Sequence, residues 1–213
     1  ELIDQWQLIL VFISIASMLF GAIAAIGQKN LKRLIAYSSI SHIGYALAGL
    51  ATGFNDGIQS SVLYITIYIV MNLGFFSCLL MMKRNNVYYE KIDDLSGLSK
   101  NHPLLSLSLL IILFSLAGIP PLAGFFAKFY IFKSVIEQSM YFLAIVGLLS
   151  TVVAAFYYLR IIKIMYFDEE KESYDKDHSL WLKFSLTAST LIILIYFIFP
   201  SQLVDVVSKI NII

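Results

Sequence analysis

Lys128 is the residue whose chemistry most needs explaining. It stands in "AGFFAKFYIF" (123–132), an ammonium among Phe125, Phe126, Phe129 and Phe132, soon after the adjacent Pro120 and Pro121. A charge in hydrocarbon is costly, so an amine there tends to trade its proton with water or a partner. The rival reading is snorkelling, with the side chain drawn to the membrane surface near Lys133 and Glu137. Those two stand at i,i+4 and read as an ordinary helix-end ion pair.

The prolines supply the second half of the chemistry. Pro120 and Pro121 bring no N–H to the carbonyls of Leu116 and Ala117, and their rings crowd that preceding turn. Gly118 and Gly124 permit the departures from helical geometry that a break requires. Carbonyls left free in lipid must be buried in protein or line a wet cavity. Broken helices of this kind form ion and substrate sites in transporters. A proline kink used only for packing is the plainer alternative.

Two polar stripes lie upstream. In "RLIAYSSISHIGYALAGL" (33–50), Ser38, Ser41, His42 and Tyr45 recur at three and four residues and share one helix face. Tyr64, Tyr68 and Asn72 do the same on the next apolar segment. Facing one another, these stripes could support a file of waters reaching Lys128. Equally, serines, tyrosines and Asn72 can act as hydrogen-bonding glue between helices. His42 differs, since an imidazole changes protonation near neutral pH.

The elements that position these groups are apolar runs. Of 213 residues, 59% are hydrophobic and 14% charged, and the runs approach the ~20 residues needed to span a bilayer. They are continuous rather than alternating, which excludes a closed barrel. The chain reads as an all-α polytopic membrane protein with six transmembrane helices: 6–26, 34–52, 58–82, 103–136, 141–167 and 180–199. A short amphipathic tail follows at 200–213. The fourth span is too long, about 50 Å as one helix, so it is expected to break at Gly118–Pro121. A net charge of +1 gives no electrostatic case for nucleic acid. The single cysteine, Cys78, sits in an apolar run and reads as packing. No dinucleotide fingerprint or metal-spaced cluster of His, Cys and carboxylates is visible.

Charge placement suggests an orientation. The loops 28–33, 83–102 and 168–179, with the helix ends beside them, carry most of the lysines and arginines, among them Lys29, Lys32, Arg33, Lys83, Arg84, Lys91, Lys100, Arg160, Lys163, Lys171, Lys176 and Lys183. The positive-inside rule puts those loops on the cytoplasmic side and both ends of the chain on the other. The acidic group Asp168, Glu169, Glu170 and Glu172 contributes little to that rule.

"GAIAAIGQKNLKRLIAYSSISHIGYALAGL" (21–50) together with "SLAGIPPLAGFFAKFYIFK" (115–133) resembles the antiporter-like membrane subunits of respiratory complex I, the proton-pumping NADH:quinone oxidoreductase. That family also includes multi-subunit cation/proton antiporters and membrane-bound hydrogenases. "IDDLSGLSKNHPLL" (92–105) and "AAFYYLRIIKIMYF" (154–167) fit it too. The resemblance implies a fourteen-helix subunit with two inverted repeats, each with a broken helix and a half-channel. Residues 1–213 would form a single transmembrane domain: the second repeat over about 6–167 and the final helix over 180–199. The first repeat would lie outside this chain, so no complete proton path can be assembled from it. Within the family, Lys128 and a short C-terminal end are most similar to the N-type branch. The L-type carries an ionisable residue on the helix where this chain has Asn72.

The resemblance implies proton translocation driven by redox chemistry elsewhere. Lys128 would be the exit-side proton carrier. Gly118, Pro120, Pro121 and Gly124 would form the hydratable break, and His42, Ser38, Ser41 and Tyr45 would bound the path. Asn72 would stand where a relay group is otherwise found. No cofactor is expected in this chain; NADH, flavin, iron–sulfur clusters and quinone would belong to other subunits. The implied partners are other membrane-arm subunits, the M-type and K-type neighbours above all, and the lipid bilayer. The implied location is a bacterial inner membrane or its mitochondrial counterpart. Two rivals remain: a cation/proton antiporter subunit without NADH or quinone, and a structural membrane subunit whose polar stripes are glue.

Overall fold

The computed structural model describes residues 2–175 and 177–209. They form α1 (Leu2–Ile26), α2 (Leu31–Leu50), α3 (Asn55–Met81), a hairpin of β1 (Lys83–Arg84) and β2 (Val87–Tyr88), and a single 3-10 turn (Ile92–Leu95). After these come α4 (Leu98–Asn101), α5 (Pro103–Ala117), α6 (Ala123–Glu137), α7 (Tyr141–Phe167), α8 (Leu180–Ile195) and α9 (Pro200–Val207).

The all-α membrane architecture holds, and α7 has the limits its apolar run predicts. The count of six spans is not confirmed. Among the described residues, three helices are long and apolar enough to cross a bilayer alone: Trp6–Ile26, Asn55–Met81 and Tyr141–Phe167. Serines, His42 and two basic residues make α2 too polar for that standard. The fourth run is divided between α5 and α6, each 15 residues long, or about 22 Å at 1.5 Å per residue. The last run also ends early. α8 stops at Ile195 and α9 turns away from it by 93°. Phe199 precedes Pro200 and takes φ −130°, ψ 57°, in keeping with the bias against α geometry before proline. Residues 210–213 of the tail lie outside the described residues.

In lipid, helices gain little from burying apolar surface against one another, so they associate through close packing and hydrogen bonds. Small residues supply the packing here. A Cβ on Gly21 would meet the Ser41 backbone nitrogen at 2.5 Å, and one on Gly44 the Met18 nitrogen at 2.8 Å. The backbones of α1 and α2 therefore nearly touch. The buried core then runs from Met18 through Tyr45, Tyr64 and Met71 to Ile131, Tyr157 and Tyr158.

The three basic loops lie together at one end. The Asn85–Asn86 turn joins β1 to β2 with both φ values positive, 50° and 63°, the geometry of a type I′ hairpin that asparagine tolerates. Leu31 N–H donates to the Glu90 carbonyl at 2.7 Å and Ile92 N–H to that of Lys29 at 2.9 Å. Asp175 N–H donates to the Lys83 carbonyl at 2.9 Å, and Arg84 pairs with Glu172.

Lys32 and Glu90 close this strap, and the Lys32 hydrogen bond holds the Glu90 carboxyl below the usual carboxylate range. A group lowered in the folded state stabilises above its unfolded value and loses that contribution as pH falls through the folded one. Protease cleavage within 83–92 of the membrane-bound protein is therefore expected to rise below about pH 4. Glu90→Gln should raise it at neutral pH. Equal protection of both proteins at every pH would show that the ion pair does not hold the strap.

Candidate functional site

The site is built on the interrupted helix. α5 ends in Gly118, whose φ of 84° and ψ of 37° lie in the left-handed region, which glycine enters without steric cost. Its N–H bonds back to Phe114 and Ser115, and that of Ile119 to Phe114. The next two carbonyls, of Leu116 and Ala117, face the positions of Pro120 and Pro121 and receive no helical amide. Lys128 fills that gap. Its Nζ donates to the Leu116 carbonyl at 3.1 Å and the Ala117 carbonyl at 3.3 Å.

Lys128 is only 4% exposed, so it does not snorkel. Its ammonium also rests 5.0 Å from the centroid of the Tyr45 ring, an attractive placement over the ring's negative face. The C-terminal end of α5 adds the negative pole of its peptide dipoles. Lys133 and Glu137 pair at 3.7 Å as the spacing predicts.

Gly124 requires a correction. It lies inside α6, beyond the irregular stretch of 118–122, and does not loosen the backbone. Its role is closeness, because a Cβ there would sit 1.9 Å from the Ser115 carbonyl oxygen. The Gly124 N–H donates to Ser115 Oγ at 3.0 Å, and that hydroxyl donates to the Met71 sulfur at 3.0 Å. Ser115 thus fastens the two half-helices to each other and to α3.

The polar face of α2 divides among α1, α3 and α7 rather than lying against α3 alone. His42 Nδ1 meets the Tyr64 hydroxyl of α3 at 2.7 Å, and its ring stacks on Tyr68 at 4.6 Å. Its Nε2 meets the Tyr158 hydroxyl of α7 at 3.3 Å. Ser38 bonds to that same Tyr158 hydroxyl. Ser41 donates to the Met18 carbonyl at 3.2 Å and lies 3.3 Å from Ser150 Oγ. Tyr45 donates to Ser150 Oγ and accepts from Thr151 Oγ1, both at 3.1 Å. Asn72 turns back onto its own helix, its amide donating to the Tyr68 carbonyl at 3.1 Å. The stripe of α3 therefore contributes Tyr64 and Tyr68 to His42, with Asn72 bonded to Tyr68 rather than to His42 itself.

Tyr158, Ser150 and Thr151 are absent from the sequence reading. Ser150 and Tyr158 are two i,i+4 steps apart on α7, the same signal that marks the stripes of α2 and α3. Tyr158→Phe would leave Ser38 without that partner and His42 Nε2 without its hydroxyl. Because the loss is to one interhelical hydrogen-bond network, the expected cost is about 1 kcal/mol. It should appear as a lowered melting temperature of the detergent-solubilised protein, and an unchanged one would mean another group replaces the hydroxyl.

Chemically, the arrangement is a chain of groups able to both give and take a proton. Each hydroxyl is donor and acceptor, and both His42 nitrogens face hydroxyls. The series begins with Ser38, two turns into α2 from the loop-bearing end. It continues through Tyr158, His42 and Tyr64, with Tyr45 between His42 and Lys128: the Tyr45 and His42 ring centroids are 6.0 Å apart. Among the described residues, no group of three His, Cys, Asp or Glu side chains could hold a metal ion.

A family model described as "NADH:quinone oxidoreductase/Mrp antiporter, TM" matches residues 2–154. NADH-quinone oxidoreductase subunit N of Pelagibacter ubique (strain HTCC1062) is 81% identical over 213 residues, covering 100% of this chain and 45% of that relative. The subunit N of Parvibaculum lavamentivorans is 52% identical over 201 residues, 94% of this chain and 42% of its own. This chain spans somewhat under half the length of these curated relatives. A chain of respiratory complex I from Thermus thermophilus with bound NADH superposes with a TM-score of 0.82 at 26% identity, covering 97% of this chain and 45% of that one. A chain of the Mrp complex from Dietzia sp. DQ12-45-1b shares the fold, with a TM-score of 0.85 at 20% identity over 95% of this chain and 46% of its own. With its broken helix, buried lysine and matched residues 2–154, the chain belongs to the NADH:quinone oxidoreductase/Mrp antiporter family of membrane subunits.

Proposed function

We propose that this chain is the C-terminal portion of a subunit N of NADH:quinone oxidoreductase and translocates protons through a half-channel centred on Lys128. The observation that carries this reading is the Lys128 ammonium, buried and bonded to the two carbonyls that Pro120 and Pro121 leave without amides. In the protonated state it has three acceptors of positive charge: the Leu116 and Ala117 carbonyls and the Tyr45 ring. Losing the proton weakens all three, so a modest change in nearby charge can shift the balance between the two forms. The hydroxyl and imidazole series from Ser38 to Tyr45 lies on the side from which a proton would arrive. Water is needed wherever two members stand beyond hydrogen-bond reach.

Under this proposal the chain performs no redox step. NADH, flavin, iron–sulfur clusters and quinone belong to other subunits, and M-type and K-type subunits flank it in the membrane arm. Residues 6–167 form the second antiporter-like repeat. The location is a bacterial inner membrane or its mitochondrial counterpart, with both ends of the segment opposite the basic loops. The 81% identity to a subunit N favours this reading over a cation/proton antiporter.

The test uses membrane vesicles from a strain carrying the whole complex with Lys128→Met. NADH oxidation and the pH gradient it creates are recorded after the complex is shown to assemble. The gradient is expected to fall at least tenfold, since a proton-transfer group typically contributes about 10²–10⁴-fold. An assembled variant that oxidises NADH and builds the gradient at the wild-type rate would sink the reading.

A further inference from the structure

A buried ammonium is usually paired with a carboxylate, because an unpaired charge in a protein interior is costly. Among the described residues no carboxylate is buried. The groups that meet the Lys128 charge are neutral: two carbonyls and the face of the Tyr45 ring. The Leu116 and Ala117 carbonyls belong to the backbone end of α5 and cannot turn away. The ring is a side chain, and it stays in place only if something holds it.

The hold comes from α7. Tyr45 is 1% exposed, and its hydroxyl donates to Ser150 Oγ and accepts from Thr151 Oγ1, both at 3.1 Å. Ser150 in turn donates to the Met18 carbonyl of α1 at 3.0 Å. That branch ends on a backbone carbonyl, which has no proton to pass on. It therefore anchors the phenol rather than extending the hydroxyl series. The ring also meets the edge of Phe132, with centroids 6.1 Å apart and planes at 83°; Phe132 is one turn from Lys128 on α6. A buried hydroxyl deprived of its partners is costly, so a ring released by α7 would turn to find others. Turning takes its face from the ammonium, and the attraction depends on that face.

We propose that Ser150 and Thr151 are positioning residues for Lys128. They hold the Tyr45 hydroxyl, the held ring keeps its face on the ammonium, and the ring thereby sets the pH at which Lys128 releases its proton. The inference rests on the reading of Lys128 as a proton carrier, and it brings α7 into the machinery of the broken helix. Tyr45 acts on the lysine through its ring, with the hydroxyl serving as the handle.

The titratable groups gathered around Tyr45 are His42 of α2, Tyr64 and Tyr68 of α3, and Tyr157 and Tyr158 of α7. From α5 only carbonyls reach the amine. Tyrosines keep their protons between about pH 6 and 8, so His42 is the one neighbour that can titrate there. It is left unchanged in every variant below.

The test uses membrane vesicles carrying the whole complex, with each gradient expressed per NADH oxidised and per assembled complex. At a starting pH of about 8, Ser150→Ala combined with Thr151→Val should build about one third of the wild-type gradient. At about pH 6 it should build nearly all of it, because acid restores the proton that the ring no longer retains. Tyr45→Leu removes the ring face itself and should show at least as large a deficit with the same relief. Thr151→Val alone is nearly isosteric at a half-buried position, and it should show a smaller deficit of the same kind even if the double variant does not assemble. A merely structural loss would lower the gradient equally at both pH values. That outcome, or no deficit at either pH, would overturn the inference. Lys128→Met in parallel separates the two readings. Wild-type pumping by that variant sinks the proton-carrier reading and this inference with it. Lost pumping there, beside α7 variants without a pH-dependent deficit, sinks the inference alone.

Discussion

Gly124→Val is expected to remove the assembled protein from the membrane almost entirely. A Cβ at this position meets the Ser115 carbonyl oxygen at 1.9 Å and its carbon at 2.7 Å. Both are backbone atoms, so no rotamer change can relieve the overlap. Separating α5 from α6 would break the Gly124 N–H bond to Ser115 Oγ and pull Ser115 away from Met71. Overpacking a well-packed site commonly costs about 1–3 kcal/mol. Here a backbone contact and the positioning of Lys128 are lost together, which places the variant beyond about 4 kcal/mol, among the exceptional cases. The measurement is the amount of this chain in the assembled complex, by native gel and immunoblot. Wild-type abundance would show that the half-helices can separate freely. Ser115→Ala, which removes the fastening without a clash, should lower abundance far less.

Replacing Pro120 and Pro121 together by alanine is the second large effect, and it acts on function rather than abundance. Alanine restores amides at the two positions that would bond to the Leu116 and Ala117 carbonyls in a continuing helix. Those amides compete with the Lys128 ammonium for its acceptors, which lie 3.1 and 3.3 Å away. Hydrogen bonds to a charged group contribute about 1.5–3 kcal/mol each. Losing both acceptors is expected to lower the NADH-driven pH gradient at least tenfold, by about 1.4 kcal/mol or more. The chain should remain in the membrane, because every backbone group finds a partner in the extended helix. A normal gradient from an assembled double variant would mean that the free carbonyls are not needed.

Much of this site is legible in the chain because its causes are local. A proline lacks an amide, so "IPP" names Leu116 and Ala117 as orphaned carbonyls without any knowledge of the fold. The i,i+4 ion pair of Lys133 and Glu137 follows from one helix's geometry, and so do the shared faces of α2 and α3. The limits of α7 follow from a single apolar run. Hydropathy misplaces the end of α8, because Tyr196–Phe199 is as apolar as the helix before it while the bend is a backbone event.

The sequence by itself determined that the fourth run must break, that its freed carbonyls need a partner, and that a lysine stands two turns beyond. Tertiary structure decided that the lysine is that partner and does not reach for the surface. The choice depends on α6 packing back against the end of α5, a contact Gly124 permits by having no side chain. Tertiary structure also decided that Ser38, Ser41 and Tyr45 bond to α7, whose Tyr158 lies 120 residues from Ser38 in the chain. Periodicity states which residues share a face. Which helix that face meets is set by packing of the whole bundle, where small residues and hydrogen bonds rather than hydrophobicity select the neighbours.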